Sequence, residues 1–434
     1  MTELKPYPEY RDSGVRWLRD IPRHWECRRL GTFGSLRTAK ATSRSFPVAL
    51  ENIDGWSGRF ISSDSDLSGD GTKFQHGDIL FGKLRPYLAK VWLADRDGEA
   101  IGDFHVITTS SEIEPKFLQY AMLTRSFISL ADGSTYGAKM PRVGWEFLRG
   151  LEWTLPPLAE QRAIASFLDH ETAEIDAFIA DQEQLIALLN ERRAATITQA
   201  VTKGLYPNVP MKDSGVEWLG EVPTHWSVTL LKHFMKKVTD GAHISPETEG
   251  GVYDFVSTRD VSPEGIDFEG ALKTSPATYE YMVRTGCQPV CGDVLFSKDG
   301  TVGRTVVVEE NRPFVVASSL IIISPHAAKL SSHFLDYLCG SNPVREQVLS
   351  YVRGAGLPRL SITNLLKIVG VFPPLSEQQQ ITNYLARETA EIDAAIADAK
   401  EAIELSKERR AALISAAVTG KIDVRDHPAA KGAA

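Results

Sequence analysis

From Glu171 to Lys203 the chain contains neither glycine nor proline, and its apolar residues fall on a narrow seam. Ile175, Ile179, Ile186 and Leu189, with Gln182 in the gap, step alternately by four and three. A spacing near 3.5 is the period of a coiled coil rather than of a helix lying on a globular surface. Ile392, Ile396, Ala399 and Ile403 repeat the seam later in the chain. Ala, Glu, Gln, Leu and Arg dominate both stretches, so helix propensity is high. Pro156-Pro157 and Pro373-Pro374 stand where helices can begin, and Gly204 and Gly420 where they stop. The pattern predicts two helices of roughly 30 to 45 residues, about 45 to 65 Å long. One small domain cannot cover that length, so the helices are expected to pack on each other, antiparallel. Elsewhere short apolar runs predict strands: DILFGKL, AKVWLAD and DFHVITT, then DVLFSKD, RTVVVEE and SLIIISP. EPKFLQYAMLTRSFISL and HFLDYLCGSNPVREQVLSYV carry helical spacing.

The seam repeats because much of the chain does. DSGVRWL at Asp12 matches DSGVEWL at Asp213, and His24-Trp25 matches His225-Trp226. GDILF at Gly77 matches GDVLF at Gly292, LPPLAEQ matches FPPLSEQ, and ERRAA at Glu191 returns at Glu408. Between Glu171 and Lys203, 21 of 33 residues equal their partners 217 positions on, whereas residues 31–135 and 232–350 share little beyond motifs. Shared blocks do one job twice; variable blocks do related but different jobs. The second half carries 16 extra residues before its FLDY segment, expected in surface loops. The expected division is 1–155 as a first mixed domain, 156–205 as a first long-helix region, 206–372 as a second mixed domain, and 373–434 as a second long-helix region with a tail. The expected class is α+β: two mixed α/β domains separated by two long helices in an antiparallel coiled coil, with a pseudo-twofold internal repeat.

Composition narrows the chemistry. Four cysteines and the lack of an apolar run suited to a signal peptide lead us to expect a cytoplasmic protein without disulfides. The longest apolar run, Leu320–Ile323, is too short for a bilayer. The net charge is −8, and only residues 1–155 are balanced, with 21 basic against 20 acidic side chains. Any nucleic-acid surface must therefore be local. SKDGTVGRT lacks the spacing and lysine of a phosphate-binding loop and reads as a turn between strands. LPPL and FPPL lack the Asp or Asn that amino-methyltransferases place before their prolines, and read as helix entries. Cys287 and Cys291 read as ordinary buried thiols, with no metal site expected. His24 and His225 repeat without a repeating Ser, Cys or metal partner, so a structural hydrogen bond beside a packed tryptophan is expected and no catalytic residue is assigned. Lys83 and Lys298 align after a strand, and Arg142 and Arg359 align after a glycine-rich turn. Cations on loops beside strands suit phosphate or base-edge contacts. The candidate DNA-binding residues are Lys83, Arg85, Lys90, Lys139 and Arg142, then Lys298, Arg304, Arg353 and Arg359.

In motif content and order, the chain resembles the specificity subunits of type I restriction-modification systems. DSGVRWL, IPRHWE, HGDILFGKLRPYLAK, LPPLAEQ, ETAEID and ERRAA are followed by a complete second set. The resemblance implies that each variable block is a target recognition domain reading one half of a split sequence in double-stranded DNA, and that the helices space the halves and dock two modification subunits. It implies a chain without catalysis or cofactor of its own. S-adenosylmethionine for adenine methylation would sit on modification subunits, and ATP and magnesium on the restriction subunits (translocase and nuclease) of a phage-defence complex. The competing reading is a two-headed coiled-coil protein-binding adaptor that never touches DNA.

Overall fold

The computed structural model describes residues 5–41, 45–63, 71–262, 265–352 and 358–433. It resolves into two compact units, the first comprising residues 1–183 with 400–434 and the second residues 184–399. In the first unit a four-stranded antiparallel sheet runs in the order Gly34–Leu36, Phe104–Thr109, Ile79–Gly82, Val91–Leu93. Its central strands are apolar on both faces. Ile79 and Phe81 point into a core with Phe117, Phe127 and Trp153, while Leu80 points into a second core with Trp92 and Phe74. Side chains alternate across a strand, so an unbroken apolar run such as ILF marks a sheet covered on both sides. The outer cover is a small sheet in which Gly98–Ile101 pairs parallel with Pro47–Val48 and antiparallel with Gly71–Phe74.

The second unit repeats this plan with the order Met235–Asp240, Leu320–Pro325, Val294–Ser297, Thr305–Val307. Val294 and Phe296 enter one core and Leu295 the other. Two features depart from the sequence reading. The extra residues of this half are not all in loops: they include the helix Pro276–Arg284, capped by Ser275 accepting from the Thr278 amide. The small cover sheet is also built differently. Its third strand, Leu272–Thr274, joins Tyr253–Val256, the strand corresponding to the edge strand Pro47–Val48 of the first unit. Edge placement depends on which strand offers free backbone groups, a long-range matter that local pattern does not carry.

The long helices are Leu158–Lys203 and Leu375–Val418, 46 and 44 residues. They start earlier than the seam because PPLAEQ and PPLSEQ run straight into the first turn. There Glu160 accepts from Trp25 Nε1 at 3.0 Å and lies 2.9 Å from His24 Nε2. Glu377 does the same for Trp226 at 3.0 Å and His225 at 2.8 Å. The repeated histidines are thus structural hydrogen-bonding groups beside buried tryptophans. Gln161 accepts from the Glu114 amide and donates to the Pro156 carbonyl, and Gln378 bonds the Ser331 amide and Pro373 carbonyl alike. Each helix root is therefore fastened to its own domain by the same two side chains. The helix ends are fastened too. Gly420 stops the second helix with φ of 73° beside Trp25, and Gly204 stops the first at 78° beside Trp226.

Within each unit the two helices run antiparallel. In the first, Arg410 Nε lies 3.1 Å from Asp176 Oδ1. In the second, Arg193 pairs with Asp393, and Arg192 lies 3.8 Å from Glu388. These ion pairs account for the duplicated ERRAA: its second arginine meets the aspartate of ETAEID on the opposite helix, once per unit. Ile175, Ile392, Ile396, Ala399 and Ile403 are buried, and Ile179, Ile186 and Leu189 half-buried.

Candidate nucleic-acid interface

In the first unit the strand Ile79–Gly82 delivers Lys83, and the chain then turns sharply. Arg85 and Ala89 adopt left-handed backbone at φ of 50° and 48°, flanking the 3-10 turn Pro86–Leu88. Non-glycine residues rarely take that conformation, and here the surroundings hold it. The Arg85 amide donates to the Pro141 carbonyl at 2.8 Å, and Leu84 bridges to Arg142, which brings the 136–142 loop alongside. Between the loops sits Asp103. Arg142 grips its carboxylate with two hydrogen bonds of 3.0 and 2.9 Å, and Lys83 Nζ lies 3.7 Å away. The Arg142 bonds hold the Asp103 carboxyl below the usual range against the opposing effect of burial, and Lys83 adds to them. Arg85, Tyr87, Tyr136, Lys139 and Met140 remain exposed on the same loops. Lys83, Arg85, Lys139 and Arg142 against Asp103 leave this cluster positively charged in a protein whose average is acidic. Lys90 is turned elsewhere, donating to the carbonyls of Leu50 at 2.7 Å and Ile53 at 2.8 Å.

The second unit reproduces the frame with other side chains. The Lys83 amide donates to the Asp103 carbonyl and its own carbonyl accepts from Val143; Lys298 makes the equivalent bonds with Ser319 and Leu360. Lys298 is buried and donates to Asp240, which also meets His243 Nε2 at 3.1 Å. Burial alone would raise Asp240, but Lys298 and His243 more than offset it and hold the carboxyl low. Arg359, exposed, grips Asp299 through bonds of 2.6 and 2.9 Å. Arg304 donates to the Val261 carbonyl at 2.6 Å. Arg353 lies outside the described residues. The segment 298–304 is the turn between two paired strands, as read from sequence.

A family model described as the type I restriction modification DNA specificity domain matches residues 223–405. The type I restriction enzyme EcoDI specificity subunit of Escherichia coli is 26% identical over 191 residues, covering 42% of this chain and 43% of the relative. The MjaVIII specificity subunit of Methanocaldococcus jannaschii aligns almost end to end, 24% identical over 97% of this chain and 98% of its own length. Residues 223–405 thus match a type I specificity domain, and the chain as a whole is similar to type I specificity subunits. Its fold matches that of a chain solved in a study of complex assembly and conformational transition of the type I R-M system, with a TM-score of 0.71, 19% identity and coverage of 92% and 98%. The HsdS subunit of Thermoanaerobacter tengcongensis matches at 0.50, with 20% identity and the same coverage.

In this specificity-subunit fold, sequence alignment of the two halves placed Lys83 with Lys298 and Arg142 with Arg359, and each pair does occupy equivalent backbone positions. What sequence reading missed are the acids that hold these cations: Asp103, Asp240 and Asp299. Asp299 adjoins Lys298 in sequence but holds Arg359, 60 positions on, and Asp103 and Asp240 also arrive from distant segments, where no local signal points to them. Cys287 is buried as expected, but Cys291 is exposed, its Sγ donating to the Glu309 carbonyl at 3.1 Å. No helix among the described residues is long and apolar enough to cross a membrane.

Proposed function

We propose that this chain is the sequence-reading subunit of a type I restriction-modification complex, contributing no reacting group of its own. Residues 1–155 read one half of a split DNA target and residues 206–372 the other. The long-helix regions, 156–205 and 373–434, hold the readers at a set spacing and dock two modification subunits. Phe178 in the first unit and Leu185 and Leu188 in the second leave apolar helix surface exposed for such partners. S-adenosylmethionine belongs to the modification subunits, and ATP and magnesium to restriction subunits.

The observation that carries this reading is the duplicated loop frame: Lys83 and Lys298 sit in the same backbone setting, while the side chains around them differ. Two readers of common ancestry and different chemistry suit a target with two unlike halves, since base-edge side chains set readout. Exchanging residues 1–155 for the matching domain of a relative is expected to change one half-site only; a change in both halves would refute independent readers. The net charge of −8 implies that modification subunits supply much of the phosphate contact. The isolated chain should then bind nonspecific DNA weakly, with a shallow salt dependence, and tight, steeply salt-dependent binding would contradict that division.

A further inference from the structure

Arg410, the second arginine of the later ERRAA, does more than pair with Asp176. Its Nη1 donates to the Trp56 carbonyl at 3.0 Å and its Nη2 to the Ser57 carbonyl at 3.2 Å. One guanidinium thus binds the opposite helix and a loop of the first domain together, which its rigid fork of donors allows and a lysine ammonium does not. The loop it holds is unusual. Trp56 sits at φ of 66°, and Gly58 at 73° is anchored by Gln119 Nε2 donating to its carbonyl at 3.0 Å. The loop and the two helices face each other across a cleft of about 750 Å³, lined by Trp56, Arg59, Ile179, Glu404 and Arg410 among others. Apolar packing does not fill that space, so polar bonds fix the distance across it.

From this loop the connection continues. The Trp56 amide donates to the Ala89 carbonyl at 3.1 Å, and Gly55 lies too close to the Leu88 carbonyl to accept a Cβ. Ala89 closes the 3-10 turn whose other flank is Arg85, bonded in turn to Pro141. An unbroken chain of hydrogen bonds and backbone contacts therefore runs from the helix pair, through Arg410 and Trp56, to the loops carrying Arg85 and Lys139. In the second unit Arg193 pairs with Asp393, but among the described residues it makes no hydrogen bond to a domain loop.

We propose that Arg410 is a positioning residue for the first reader: it sets where the 85–89 turn stands relative to the helices, and so the alignment of the first half-site. Its consequence for DNA rests on the function proposed above; its mechanical part does not. Hydrogen exchange on the full chain tests the mechanical part. Arg410→Lys keeps a charge for Asp176 but loses the double grip on the loop. Exchange at the amides of Trp56 and Ala89 should rise on the order of tenfold, while amides of the two helices stay as protected as in the wild type. Unchanged exchange at Trp56 and Ala89 would overturn the proposal, as would an equal rise along the helices. For the DNA part, the assembled complex carrying Arg410→Lys should lose discrimination at the first half-site by roughly tenfold and accept spacers one base pair longer or shorter, with the second half-site read as before. Arg193→Lys should leave the first half-site unchanged. Wild-type discrimination and spacer strictness in Arg410→Lys would overturn the positioning role, whereas a wild-type complex with no split target would overturn the function itself.

Discussion

Asp103 organises the chemistry around it at residue scale. Its carboxylate ties together two loops that carry exposed cations, and it stands two residues before His105, whose Nε2 donates to the Val143 carbonyl at 2.9 Å. Burial pushes the His105 imidazole below its usual range, against the effect of that bond. The folded chain therefore resists protonation there, while the unfolded chain takes up a proton as pH falls through about 6.5. Stability from this residue is full above that pH and declines below it. Asp103 works at lower pH: its contribution is present above about 3.9 and lost as pH falls through its depressed folded value. We expect His105→Gln to flatten the fall in thermal stability between about pH 6.5 and 4 while leaving the fall at more acid pH in place; an unflattened curve would contradict the assignment. At the interface, Ala substitutions at Lys83, Arg142, Lys298 and Arg359 should weaken binding of the complex to DNA. A phosphate contact lowers the salt slope by about one for all sequences, and a base contact relaxes one position. Because Asp103 occupies both arms of the Arg142 fork, Arg85→Ala and Lys139→Ala should have the larger effects. Unchanged binding in all six variants would remove support for these loops as the reading surface.

Among the elements, the long helices were the most legible part of the sequence, because the seam period, the bounding prolines and the terminal glycines all act locally. Burial grades what spacing alone leaves equal. Ile403 is 7% exposed whereas Ile186 is only half-buried. Ile403→Asp should therefore cost several kcal/mol by stranding a buried charge, and Ile186→Asp clearly less. Denaturant unfolding decides it, and equal small effects would mean that the seam is not the packing surface. The strands ILF, VLF and LIII were also legible, since unbroken apolar runs mark sheets covered on both faces. The opposite attachment of the third cover strand and the inserted helix Pro276–Arg284 were not, because neither hydrogen-bond partner nor insertion geometry is written in local spacing. For the same reason the duplicated ERRAA was visible as a repeat while its purpose was not: Arg193 and Arg410 find their aspartates 200 and 234 positions away in the chain.

For the whole molecule, the two reciprocal Arg–Asp pairs give the proposed spacer a register. A slip of either helix would part each arginine from its carboxylate, at the greatest cost for Arg410 and Asp176, whose side chains are only 11% and 15% exposed; fixing register is the best-attested use of such pairs. Inserting Ala-Glu-Ile-Asp after both Asp176 and Asp393 adds about one turn, on the order of 6 Å, to each helix. At about 3.4 Å per base pair, the same two half-sites should then be read with one or two more base pairs between them. An unchanged spacer at full activity would mean that something other than the helices sets the distance. All of this rests on the chain reading a split DNA target for a methylating partner. The direct measurement is adenine-methylation mapping of host DNA with the gene present and deleted. One split motif, with unlike halves and a fixed spacer, should be methylated in the first genome and unmethylated throughout the second. Identical maps from the two would contradict a role in DNA recognition and leave the two-headed protein adaptor as the reading.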